Sequence, residues 1–198
     1  MLTRTGLRTH SEQFATLVGG GLFTDRQGAG IAVEDGVEIL LKTLCAVRER
    51  QGTVYLVGNG GSAAVASHAA TDFFNTGGMR ALTLHDPSTL TCFSNDYGYE
   101  NAFSARLARL LTPQDLLIAI SSSGRSPNIL NAAESTHASS AGLITLTGFT
   151  ADNPLRKMGD ANYWLDSDAY GMVEIGHLFL LHYVADLLSM DWGVVNGK

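Results

Sequence analysis

The chain has 198 residues, 45% of them apolar and 16% charged, and a formal net charge of −6 at pH 7. That length suits one globular domain with a full core, and a charge fraction this low is expected where partner chains cover part of the surface. The acidic balance and the lack of any basic block argue against a nucleic-acid backbone as partner.

From the N-terminus, MLTRTGLRTHSEQ lacks the apolar core of a signal peptide, and a first helix is expected to break at the glycine-rich LVGGGLFT. Residues 27–50 read as a second helix, because Val33, Val37, Leu40, Leu41, Leu44 and Val47 recur at helical spacing. Five short apolar runs follow: TVYLVG at 53–58, RALTL at 80–84, DLLIAI at 115–120, LITLTG at 143–148 and NYWLD at 162–166. None alternates cleanly between polar and apolar, which fits strands buried on both faces. Helical patterns at about 62–75, 99–111 and 126–140 lie between them. The alternation predicts an α/β fold in three layers, a doubly wound five-stranded parallel sheet. From Tyr170 to about residue 190 runs a long apolar helix bearing Glu174, His177 and His182, which reads as too polar to span a membrane. One domain is expected over residues 1–198: a helical extension to about 50, a sheet core at about 53–166 and the C-terminal helix. Two cysteines, Cys45 and Cys92, lack metal-site spacing and fit a reducing compartment. The location expected is cytoplasmic, with no membrane contact.

Two turns stand out, VGNGGSAAVASHAATDF and IAISSSGRSPNILNAA. Each follows a strand pattern and opens a helix pattern, which in a parallel sheet places both at the carboxyl edge. Helix N-termini there offer unpaired N–H groups to an anion, glycines allow close approach and hydroxyls add donors. A phosphate is expected to meet Ser62 from the first turn and Ser121, Ser123 and Ser126 from the second. GNGGS is not GxGxxG, and neither turn has the lysine of a phosphate loop, so a dinucleotide site fits poorly. The plainer reading is that Ser62 and Ser126 cap their helices, and the two readings do not exclude each other.

GNGGS, His68, SNDYG at 94–98, ISSSGRSPN at 120–128 and the late helix with its acid and histidines together resemble the sugar isomerase domain family. Within it the pattern is most like the phosphoheptose isomerases, over residues 30 to 190. The resemblance implies a five-stranded doubly wound sheet, a homotetramer with sites between subunits and, in several members, zinc. The implied activity is aldose–ketose isomerisation of a sugar phosphate, sedoheptulose 7-phosphate in the first instance, through an enediol. Against the family's ISTSGNSxN loop, Ser121, Ser123, Gly124, Ser126 and Asn128 keep the pattern, while Ser122 replaces threonine and Arg125 asparagine. His68 and Asp72 stand where the family has histidine and glutamate. Glu174 and His182 stand where it has glutamine and histidine. The resemblance also implies substrate contacts from Asn59, Gly60, Gly61, Ser62, Asp96, Ser121, Ser122, Ser123, Ser126 and Glu174.

His68 and Asp72, four apart, share a helix face, whereas Glu174 and His182, eight apart, are about 80° out of line. Two imidazoles and two carboxylates suit tetrahedral zinc or a proton-transfer site. The expected metal ligands are His68, Asp72, Glu174 and His182, and the expected acid and base are Asp72 and His182. His177 reads as a hydrogen-bonded core residue, His85 carries no specific mark, and Asp96 reads either as a hydroxyl acceptor or as part of an Asx turn. A non-catalytic phosphosugar-binding protein, or a replication-initiator-associating scaffold of the same fold, would need the serines but not the histidine pair. A sugar-phosphate regulator would normally add a basic nucleic-acid-binding segment, which is not seen.

Overall fold

The structure, a computed structural model, describes residues 6–196, with side chains to residue 190; the remaining ends of the expected domain lie outside the described residues. The chain begins with α1 (Leu7–Gly19), then the short strands β1 (Leu22–Asp25) and β2 (Gly30–Ile31), then α2 (Val33–Glu49). The alternating part runs β3 (Thr53–Val57), α3 (Gly61–Asn75), β4 (Arg80–Thr83), α4 (Pro87–Tyr97), α5 (Ser104–Leu110), β5 (Leu116–Ser121), α6 (Pro127–Ser139), β6 (Gly142–Thr147) and β7 (Ala161–Trp164). It closes with α7 (Tyr170–Asn196).

The sheet order is β2-β1-β7-β6-β5-β3-β4. β4, β3, β5, β6 and β7 pair in parallel, so the five expected strands are all present. Among the described residues the sheet nevertheless has seven strands. The segment after the glycine run forms a hairpin, β1–β2, whose first strand pairs antiparallel with β7. β2 also takes the start of the expected helix over 27–50, which begins only at Val33. β5 is buried at all six positions, as a strand covered on both faces must be. One face carries Val65, Ala66, Ala69 and Phe73 of α3, Leu40 and Leu44 of α2, and Leu181, Val184 and Leu188 of α7. The other carries Phe103 and Leu107 beside Ile129, Ala132 and Ala133 of α6.

α4 lies outside the helical patterns read from the sequence. Asp86 caps it by accepting from the Thr89 N–H at 3.0 Å, with Pro87 in the first turn. None of its residues is fully buried, which is why no apolar period marks it. By length and composition, Tyr170–Met190 of α7 is apolar enough to cross a membrane, contrary to the sequence expectation. Its Val173, His177, Leu181, Val184 and Leu188 are instead buried in the chain's own core.

In the order of the parallel strands, β3 and β5 are neighbours from which the chain winds in opposite directions. That is the topological switch point, where the ends of two strands diverge and leave a crevice. The two serine-bearing turns follow β3 and β5, one on each side of it.

Candidate active site

Gly60 takes φ 54° and ψ −122° at the start of α3, a backbone region that L side chains avoid. A Cβ on Gly61 would overlap the carboxylate of Glu174. The glycines therefore let the first turn of α3 come against α7. Ser62 lies within that turn, and the N-cap position is Gly60, with no side-chain cap; the expectation that Ser62 caps the helix is thus not met. Ser126 does sit at the N-cap of α6, but its hydroxyl caps no N–H; it accepts from Ser121 Oγ at 3.4 Å instead.

Asn59, Ser62, Ser121, Ser122, Ser123 and Ser126 line one cleft, together with Tyr170 and Glu174. Its volume is about 120 Å³, below the 300–1,000 Å³ of pockets that enclose drug-sized ligands. A small anionic head fits where a dinucleotide does not. Among the described residues no cation lines the cleft. Arg125 turns away to Asp152 at 3.2 Å and Thr150 at 3.3 Å. An anion here would rely on hydroxyls and the first-turn N–H groups of α3 and α6. Ser122 is 4% exposed and its Oγ has no partner, so the cleft holds one unsatisfied hydroxyl.

The cleft walls are held to each other by amides. Asn59 and Asn128 exchange side-chain hydrogen bonds at 2.9 and 2.8 Å, and the Tyr99 hydroxyl donates to Asn59 Oδ1 at 2.9 Å. Asn59 is therefore engaged in joining the two loops. Tyr99 and Tyr170 escaped the sequence reading because neither lies in a recognisable motif.

α3 and α7 lie side by side, and further along them three groups converge. His68 Nε2 is 3.4 Å and His182 Nδ1 3.2 Å from the same Asp72 Oδ2. That oxygen is buried without a hydrogen-bond partner, so neither contact has hydrogen-bond geometry. One ligand atom from each of the three residues lies within 4.8 Å of the others. Two nitrogens and a carboxylate oxygen this close together, with no hydrogen bond to the oxygen, are a donor set that suits zinc. Glu174 falls outside this group and borders the serine cleft. Its eight-residue separation from His182 is about 12 Å along the helix axis, so the four expected ligands do not meet as a set.

Asp96 is part of α4, exposed, and accepts from its neighbour Asn95 at 3.0 Å. It is not among the residues lining the cleft, and the helix continuing through it excludes the Asx turn. His177 is fully buried, with Nε2 3.0 Å from Thr147 O. Burial, opposed by that bond, lowers its pKa to about 4.

The SIS domain family model matches residues 32–148. A phosphoheptose isomerase of Thiobacillus denitrificans is 35% identical over 165 residues, covering 79% of this chain and 82% of its own length. One from Helicobacter pylori is 32% identical, covering 86% and 89%. The chain belongs to the phosphoheptose isomerase family of SIS-domain proteins. Among solved structures, family members from Neisseria gonorrhoeae and Francisella tularensis superpose with TM-scores of 0.80 and 0.79 at 26% and 25% identity. The superpositions cover 93% of this chain and 97% of the first member, and 94% and 100% for the second.

Proposed function

We propose that this chain isomerises a ketose phosphate to an aldose phosphate, with sedoheptulose 7-phosphate as the first substrate to test. The observation that carries the reading is that one helix, α3, contributes both to the serine cleft and to the His–Asp–His cluster. From Ser62 to His68 is six residues, a rise of about 9 Å, a distance that an extended sugar phosphate bridges between its phosphate and its carbonyl end. The relatives named above are phosphoheptose isomerases, which supports the same substrate class.

In this reading Ser62, Ser121, Ser122, Ser123 and Ser126 bind the phosphate with backbone N–H groups at Gly60 and Gly61. Glu174, which borders the cleft, serves the sugar hydroxyls, and Asn59 holds the loops. Isomerisation moves a proton from the carbon beside the carbonyl to the carbonyl carbon. Asp72 and His182 exchange that proton and the one on the carbonyl oxygen as the enediol forms and collapses. Zinc held by His68, Asp72 and His182 would polarise the carbonyl instead, because metal ligation and proton transfer compete for the same lone pairs. Protein purified without chelator should then contain near-stoichiometric zinc. Metal-free protein whose activity and melting ignore added zinc would refute the metal role.

We also propose a cytoplasmic homotetramer. Phe74 and Leu82 near the open edge of β4, and Ile175 and Phe179 on α7, are each more than half exposed, an apolar surface suited to burial by other copies. Light scattering that finds only a single 21.1 kDa chain would overturn this.

The activity test is incubation with a panel of ketose phosphates in deuterated water, following loss of the carbon-bound proton by NMR. Turnover of a heptose phosphate is expected. No turnover of any heptose, pentose or hexose phosphate would move the chain to the non-catalytic binding proteins of this fold.

A further inference from the structure

His85 follows β4, outside the serine cleft and outside the His–Asp–His cluster. Its Nε2 lies 3.1 Å from the carbonyl oxygen of Gly58, the first residue of the GNGGS turn, and the Gly58 N–H points to the same nitrogen at 3.4 Å. Its Nδ1 is buried and has no partner. The ring meets Phe103 edge-on at 5.6 Å between centroids. A neutral imidazole has one N–H. Placing it on Nε2 satisfies the Gly58 carbonyl at the shorter distance and gives up the longer bond from the Gly58 N–H, while placing it on Nδ1 keeps that longer bond but buries a donor without an acceptor, the costlier arrangement. Burial foremost, and the charge of Arg106 after it, lower the pKa of the ring against the raising effect of the Gly58 bond, in keeping with a neutral ring.

Gly58 cannot move alone. A Cβ placed on it would come within 2.6 Å of the Ser62 backbone, so Gly58 and Ser62 are packed directly on each other. Fixing the Gly58 carbonyl fixes where the Ser62 hydroxyl enters the cleft and where the α3 N-terminus points. Asn59, next in the chain, is tied independently to Asn128 and Tyr99. The turn is thus anchored at two successive residues, from β4 on one side and from α6 on the other.

We propose that His85, through an Nε2–H bond to Gly58, is a positioning residue that sets the anion-binding geometry of the first loop. The proposal rests on the serine cleft being the phosphate site, but not on the chain being an isomerase. It is tested by titrating inorganic phosphate into wild type, His85→Gln and His85→Asn by calorimetry. A glutamine amide reaches where Nε2 lies, whereas an asparagine amide ends near Nδ1 and stops short of Gly58. Asparagine should weaken phosphate binding roughly 3- to 10-fold, the worth of one neutral hydrogen bond, and glutamine should restore it to within about twofold. On a heptose phosphate the asparagine variant should raise KM by the same factor and leave kcat within about twofold. Equal phosphate affinity in all three proteins, or equal loss in both variants, overturns the role. If the asparagine variant does not fold, nitrogen NMR of wild type decides: an Nδ1–H tautomer, or a charged ring at pH 7, refutes the assignment. A phosphate result as expected with no heptose turnover would leave His85's role standing and remove only the isomerase reading.

Discussion

His177 gives the sharpest prediction about stability. Its ring is fully buried on α7, bonded to Thr147 O and edge-on to Tyr163, and its pKa falls from 6.5 to about 4. The folded state thus keeps the ring neutral where the unfolded chain protonates it. The sign follows from linkage. The contribution is fully present above the unfolded value of 6.5, is lost as pH falls, and stops changing below the folded value of about 4. Each unit of pKa difference is worth about 1.4 kcal/mol, and at pH 5 the loss comes to about 2 kcal/mol. Urea denaturation of wild type and His177→Leu at pH 7.5 and pH 5.0 separates this from all other titrating groups. Leucine suits the comparison because Thr147 O also accepts from the Leu165 N–H at 3.0 Å, so its carbonyl is not stranded. Wild type should lose about 2 kcal/mol more than the variant between the two pH values. Parallel losses would refute a neutral buried His177.

Two further outcomes concern the site. Ser121→Ala and Ser126→Ala should each raise KM for the sugar phosphate, by the roughly 1.5–3 kcal/mol of a hydrogen bond to a charged group, with kcat less affected; unchanged KM and phosphate affinity in both would count against the serine cleft. Asp72→Asn and His182→Gln should each lower kcat by about 10²–10⁴-fold in folded, phosphate-binding protein, without multiplying in the double variant; full activity in both single variants would sink the mechanism.

The five parallel strands were legible because each is a short apolar run, buried on both faces and bounded by turn residues. The β1–β2 hairpin was not, since two- and four-residue strands are too short to show a period. α4 hid for a related reason: its signals are the cap Asp86 and Pro87, and no buried stripe supports them. The serines of both turns could be read from their place between strand and helix, and the cleft does gather them. The partition of the four acid and imidazole groups could not be read. Sequence spacing reports which residues share a face of one helix, and His68 and Asp72 do. It does not report the axial offset between α3 and α7. That offset brings His182 to Asp72 and leaves Glu174 against Gly61. Tyr99 and His85 act through tertiary contacts to Asn59 and Gly58, which no local pattern encodes.

The same offset bears on why aspartate stands at position 72, where the family resemblance places glutamate. A shorter carboxylate reaches a partner on α7 only if the helices run close. Val65, Ala66, Ala69 and Ala70 of α3 are buried, and small side chains let helix axes approach. The Asp72 oxygen already lies 3.2 Å from the ring of His182 and 3.4 Å from that of His68. Asp72→Glu adds one methylene, about 1.5 Å of reach, in a space set for the shorter chain. The glutamate oxygen must press past its present distance from the two ring nitrogens, or fold back in a poorer rotamer. A misplacement of this size costs about 10²-fold in rate, so the substitution toward the family residue should lower kcat and weaken zinc retention on dialysis while the protein stays folded. Wild-type activity and zinc content in Asp72→Glu would show that the gap between α3 and α7 tolerates either length, and that the aspartate is not matched to its helix spacing.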